Sequence, residues 1–199
     1  MEQFSIIANS DKDVGLGVAK QIKTYLESKG KCAKIVSDTS QISAKEKPEM
    51  AIILGGDGTM IQAAKGLASR KVPILGVNLG TLGFLTDVEV PNIVNVLDQL
   101  LGGRYNISRR MSLTGNAVVA DQKYKLPLAF NDFIIGKRGF GRMISTEVYV
   151  NDELVDKYVA DGVLIATPTG STAYNLSAGG PVLSPSMEGI VITRSKSVV

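Results

Sequence analysis

The chain has 199 residues, enough for one large domain or two small ones around a real core. Its 44% hydrophobic and 21% charged residues suit a soluble globular protein, and a net charge of +3 without a basic, aromatic-interleaved run gives no argument for nucleic acid. Histidine is absent and Cys32 is the single cysteine, which excludes Ser-His-Asp and Cys-His nucleophiles, His-ligated zinc, an internal disulfide and a CxxC redox pair.

The start of the chain carries no basic region ahead of a long apolar stretch, and no apolar run approaches the ~20 residues of a membrane span. A cytoplasmic location and no membrane partner are therefore expected. The first element, FSIIAN (4–9), reads as a strand. Residues 14–29 read as a helix with Val14, Val18, Ile22, Tyr25 and Leu26 on one face. The GLGVAK of residues 15–20 does not complete a GxGxxG fingerprint and is taken as part of that helix. AKIVSD reads as a second strand, with Cys32 expected as a buried thiol at its start. A polar segment (39–49) follows, then a third, wholly apolar strand in MAIILGG.

That strand runs into GGDGT (55–59), a lone carboxylate walled in by glycines at the mouth of a helix expected over 60–69. Thr59 and Gln62 have the spacing of a capping box. Outward-pointing amides at a helix start suit a phosphate. The plain alternative is a tight turn with a solvated aspartate. No Gly-Lys-Ser/Thr follows, so this is not a Walker A loop. VPILGVN (72–78) reads as a fourth strand and NIVNVLDQLLGG (92–103) as a helix closed by Gly102 and Gly103. Apolar strands alternating with helices predict an α/β domain with a parallel, Rossmann-like sheet over residues 1–102.

After Gly103 the texture changes to short β-branched runs: MSLTGNAVV, KLPLAFNDFIIG, ISTEVYV and GVLIAT. VNDELV (150–155) reads as a hairpin turn. Residues 103–199 are thus expected to form an all-β, antiparallel, sandwich-like domain packed closely on the first. Within it, DGVLIATPTGSTAYNLSAGGP (161–181) is a second junction: a strand, a hydroxyl- and glycine-rich turn, then a short helix stopped by Gly179, Gly180 and Pro181. Thr169 to Thr172 could hold polar ligand groups and Tyr174 could lie against a base. The competing interpretation is an elaborate helix cap with Tyr174 in the core.

GGDGT, GVNLGTLGFLTD (76–87), FND (130–132) and the 161–181 stretch, in this order, resemble the NAD kinase (ATP-NAD kinase) family over nearly the whole chain. The resemblance implies phosphoryl transfer from ATP, or polyphosphate, to the 2′-hydroxyl of the adenosine ribose of NAD. It makes Asp57 the catalytic residue at that ribose. It places Gly55, Gly56, Thr59 and Asn78 by the ATP phosphates. Gly58, Phe84, Asn131, Asp132, Asp161, Thr172, Ala173, Tyr174 and Ser177 would contact NAD, with Phe84 beside the adenine and Asp161 at the nicotinamide end. A core phenylalanine is the competing role for Phe84. Asp132 falls where the family usually has glutamate, one methylene longer. The resemblance further implies a divalent metal, Mg²⁺, carried on the ATP phosphates rather than by protein ligands, and a homo-oligomer sharing site residues between subunits. Family members are usually longer, so the ending RSKSVV leads one to expect a shortened, incomplete β domain with open strand edges. Two alternatives stand beside an active NAD kinase: a shortened NAD- or ATP-binding protein with little turnover, and a lipid or sugar kinase of the same superfamily.

Overall fold

The computed structural model of the chain describes residues 1–10, 13–80, 83–86, 88–139 and 141–195. Thr81, Leu82 and Asp87 of the GVNLGTLGFLTD motif, and the last four residues of RSKSVV, lie outside them. The chain divides into two compact units, Met1–Ile107 and Ser108–Val199.

In the first unit, β1 (Gln3–Ala8), β2 (Cys32–Val36), β3 (Met50–Leu54), β4 (Ile74–Asn78) and β5 (Val88–Glu89) form one sheet in the order β2-β1-β3-β4-β5. Every pairing in it is parallel. β3 is buried along its whole length, as its unbroken apolar sequence MAIIL requires. The helices α1 (Gly17–Ser28) and α3 (Ile93–Leu101) cover one face of the sheet, where Ile22, Leu26 and Leu97 meet Ile6, Ile52 and Leu54. The other face holds Ile7, Ala51 and Ile53 against Met60, Ala63 and Leu67 of α2 (Asp57–Leu67). Across the first layer the Tyr25 hydroxyl donates to Asp98 at 2.6 Å, and that bond holds the Asp98 carboxyl below its ordinary range.

Three local expectations give way. Val14 is 87% exposed, because α1 begins only at Gly17, after a 3-10 turn in which Gly15 has φ +65° and Leu16 has φ +56°. The GLG stretch is therefore a left-handed turn ahead of the helix rather than part of it. Asp13, 5% exposed, caps α1 by accepting the amides of Val18 (3.0 Å) and Ala19 (2.8 Å). Cys32 is exposed, since β2 is an edge strand and the cysteine stands at its first position.

The second unit is antiparallel throughout. A three-stranded sheet has the order β12-β11-β8, from β8 (Asp132–Gly136), β11 (Gly162–Ala166) and β12 (Val191–Ser195). Two hairpins stand beside it in the chain: β6 (Asn116–Val119) with β7 (Gln122–Lys125), and β9 (Ile144–Val150) with β10 (Glu153–Ala160). The expected VNDELV turn forms at Asn151 and Asp152, both with positive φ, as a two-residue loop matching strand twist requires. The β6–β7 hairpin turns the same way on Ala120 and Asp121, at φ +48° and +63°. KLPLAFNDFIIG is not one strand: Pro127 lies between β7 and β8, where it donates no ladder bond. Among the described residues no helix is long and apolar enough to cross a membrane.

The cap on α1 yields a stability test. Asp13→Ala strips two helix-start amides of their acceptor, with Ala19 fully buried, and should cost about 1–3 kcal/mol. Val14→Ala should stay within about 0.5 kcal/mol, as exposed substitutions do. Urea unfolding of both variants checks the pair; equal losses would show that Val14 packs and Asp13 does not cap.

Candidate functional site

In an open parallel sheet, ligands bind outside the carboxyl ends of the strands where the strand order reverses. Here β2 lies on one side of β1 and β3 on the other, so the reversal falls between β1 and β3. Gly55, Gly56 and Asp57 leave the carboxyl end of β3 at that position. Gly55 is buried and its amide donates to Val77 on β4 (2.9 Å), while Gly56 is the N-cap of α2. Asp57 is the first residue of α2, a place where a negative side chain suits the helix dipole. No side-chain cap bond forms here, so Thr59 and Gln62 do not make a capping box. The helix starts three residues earlier than that pattern assumes, and Thr59 in its first turn packs against Gly55 instead.

The carboxylate of Asp57 is held from below. Its Oδ2 accepts the Phe84 amide at 2.8 Å and its Oδ1 accepts the Leu85 amide at 3.0 Å. These amides belong to the segment that follows β4, so sheet order brings the GGDGT and GFLT sequences together. Gly83 is needed for this approach, because a Cβ there would fall on the Asp57 carboxyl group. Phe84 is 71% exposed, so in this unit it is not a core residue. Asn78, at the end of β4, is 6% exposed and bonded at both ends of its amide to the Gly80 backbone, accepting at 3.1 Å and donating at 2.8 Å. Gly58 is exposed in the first turn of α2.

The second unit gathers its candidate residues at the two ends of β11. At the carboxyl end, the Asn131 carbonyl accepts the Thr167 amide at 2.8 Å, and Asp132 pairs with Ala166 across β8 and β11. Gly170 packs directly on the Asn131 backbone. A 3-10 turn (Gly170–Thr172) and a short helix, α4 (Tyr174–Ser177), then carry Thr172, Ala173, Tyr174 and Ser177. Tyr174 is partly buried with its hydroxyl 3.4 Å from Ser195 Oγ, and Ser177 is exposed. Asp161 lies at the other end of β11, a five-residue strand about 17 Å long. Tyr174 nevertheless reaches toward that end, since its hydroxyl meets Ser195, whose carbonyl accepts the Asp161 amide at 3.0 Å.

Much of the hydroxyl-rich turn serves the turn itself. Ser171 donates to the Pro168 carbonyl (2.6 Å) and accepts the Leu183 amide (2.9 Å), and Thr172 donates to Thr169 (3.3 Å). Thr167 bridges Phe130 and Gly170, and the fully buried Asn175 ties Ser171, Pro181 and Thr193 together. Sequence reasoning did not single out Thr167 or Asn175, because nothing in local spacing marks a polar residue for burial. Left over are Thr169 Oγ1 and Asn131 Oδ1, buried without a partner among the described residues, as is Thr86 Oγ1 in the first unit. Such atoms cost stability unless something else bonds them. The sequence also left unmarked Lys137, whose ammonium lies 2.7 Å from Asp161 Oδ1.

The model of the ATP-NAD kinase N-terminal domain matches residues 10–105, and that of the C-terminal domain residues 130–197. The chain belongs to the ATP-NAD kinase family. The NAD kinase of Lachnoclostridium phytofermentans is 42% identical over 97% of this chain and 71% of its own length. That of Caldanaerobacter subterraneus is 41% identical over 97% of this chain and 72% of its own. Among solved structures, yeast NADH kinase complexed with NADH aligns with a TM-score of 0.82 at 25% identity, over 98% of this chain and 66% of that one. An NAD kinase from Archaeoglobus fulgidus in complex with ATP aligns with a TM-score of 0.76 at 25% identity, over 98% and 72%. The family match covers both strand–glycine–helix junctions.

Within the second junction, Gly170→Ala would press a methyl group into the Asn131 backbone, which cannot swing aside as a side chain would. The expected loss is about 1–3 kcal/mol, as for other forced overpacking. Thermal melts of the variant check it; an unchanged melting temperature would show that the turn relaxes freely.

Proposed function

We propose that this chain is an NAD kinase, transferring the terminal phosphoryl group of ATP to the 2′-hydroxyl of the adenosine ribose of NAD. The observation that carries the reading is Asp57, a single carboxylate at the sheet's reversal point, oriented by the Phe84 and Leu85 amides. Phosphoryl transfer is loose, so the protein's work is alignment and charge stabilisation. Each oxygen of Asp57 spends one lone pair on an amide and keeps another for an incoming hydroxyl. Asp57 then orients the 2′-oxygen and takes its proton late, as the new O–P bond forms and the bond to the departing ADP breaks. Gly55, Gly56, Thr59 and Asn78 make the phosphate side at the start of α2, and Gly58 beside them contacts NAD.

Phe84 supplies an exposed ring for the adenine side, and Asn131, Asp132, Thr172, Ala173, Tyr174 and Ser177 contact the adenosine half. The buried, unpartnered Asn131 Oδ1 and Thr169 Oγ1 suit that role, since a bound donor would satisfy them. Asp161 takes the nicotinamide end. A homo-oligomer in which neighbouring copies share the dinucleotide belongs to the same reading. Among the described residues no cluster of three or more acidic or cysteine side chains could cage a metal ion. A divalent cation, Mg²⁺ in this reading, fits as a passenger on the triphosphate, where it neutralises the phosphoryl oxygens. The expected setting is the cytoplasm.

The direct test is purified protein with NAD, ATP and Mg²⁺, following NADP through an NADP-specific dehydrogenase. Steady NADP formation is expected; dinucleotide binding without it would favour a non-catalytic binding protein. Asp57→Asn keeps the shape but loses the proton acceptor, and turnover should fall about 10²–10⁴-fold with NAD affinity retained. Near-normal turnover would sink the catalytic role.

Gly83→Ala tests the support rather than the acid–base group. Moving the Asp57 carboxyl off the Phe84 and Leu85 amides should cost about 10²-fold in turnover, since small misplacements are that expensive. The melting temperature should change little. Unaltered turnover would mean that the anchoring amides do not matter to the reaction.

A further inference from the structure

The described ion pairs are mostly exposed on at least one side, but Lys137 and Asp161 are 22% and 16% exposed in their side chains. Their backbones are also joined, with the Lys137 amide donating to the Asp161 carbonyl at 3.0 Å and the Asp161 amide donating to Ser195 at 3.0 Å. The Lys137 ammonium donates again to the Gly141 carbonyl at 3.2 Å. A pair so clamped keeps its geometry when a ligand arrives. Asp161 Oδ1 is taken by the ammonium, while Oδ2 has no partner among the described residues. That oxygen is an open acceptor for an N–H group, such as a carboxamide.

We propose that Lys137 sets the selectivity of this site between the oxidised and reduced forms of the dinucleotide. The inference rests on the assignment of Asp161 to the nicotinamide end under the proposed function. NAD⁺ carries a positive ring and NADH a neutral one, while both carry the same carboxamide. A hydrogen bond to Asp161 Oδ2 therefore cannot tell them apart; only charge can. With the ammonium 2.7 Å away, the Asp161 carboxylate presents nearly no net charge to the ring. Without Lys137 the same half-buried carboxylate would face the ring bare, and attraction at such range in a partly buried site is strong. Without the carboxylate, the ammonium would repel the oxidised ring.

The experiment measures dissociation constants for NAD⁺ and NADH by calorimetry, with kcat/KM for each, in wild type, Lys137→Met, Lys137→Arg, Asp161→Asn and the Lys137→Met/Asp161→Asn double variant. The affinity ratio should move about tenfold or more toward NAD⁺ in Lys137→Met and toward NADH in Asp161→Asn. Lys137→Arg should keep the wild-type ratio, and the neutral double variant should return to it. A common loss for both dinucleotides with an unmoved ratio would mark Lys137 as structural and overturn the proposal alone. If wild type binds neither dinucleotide, the dinucleotide reading fails and this proposal fails with it. Should Lys137→Met not fold, Asp161→Asn and Lys137→Arg decide the matter, since an unmoved ratio in Asp161→Asn overturns it equally.

Discussion

The first unit is organised around one requirement: a carboxylate at the tip of a buried strand must be held in place by main-chain amides from elsewhere. A carboxylate on a loop alone would swing through several rotamers. Two amides from the Phe84–Leu85 segment remove that freedom. They can do so only because β4 lies next to β3 and its following segment returns beneath Asp57. Parallel adjacency in turn needs helices on both faces, which α1 and α3 supply on one side and α2 on the other. Gly83 is the closing condition, since the last approach leaves no room for a side chain.

The second unit answers a different difficulty. A turn rich in hydroxyls next to a strand end would ordinarily be soft and water-filled. Here Thr167, Ser171 and Asn175 are buried and bonded to main-chain groups on either side, so the turn is stiffened from inside. The exposed Ser177 and the partly buried Tyr174 stand on that stiff base. Polar groups in this stretch thus divide into those that make the turn and those available to a ligand, and internal hydrogen bonding marks the first set.

Much of this was legible in the sequence, and the limits have physical causes. Unbroken apolar strands and helical spacing foretold the parallel sheet, and GGDGT at a strand end foretold where Asp57 would emerge. Asn151 and Asp152 foretold a hairpin, because both residue types tolerate positive φ. Ala120 carries no such signal, so the β6–β7 hairpin was not foreseen. Cys32 was misjudged because strand order, which decides what is an edge, is not a local property. Val14 and Thr59 failed for a shared reason: helix starts depend on which amides find an acceptor, and Asp13 and Gly56 resolved that differently from the spacing. The Lys137–Asp161 pair joins residues far apart in sequence, visible only once β8 and β11 are paired.

The placement of β1 has a bearing on how the molecule is made. Phe4 pairs with Ala33 on one side and Met50 on the other, so this early strand is an interior one. Its ladder stays half empty until β3 has left the ribosome, and until then its apolar row is open to chance partners. The β6–β7 and β9–β10 hairpins close on two-residue turns and need no distant segment. Short-range pairings form far sooner than long-range ones. The α/β unit, made first, is thus the one that must wait, and a chaperone's grip on the nascent chain would matter most over its opening fifty-odd residues, up to the pairing with Met50–Leu54.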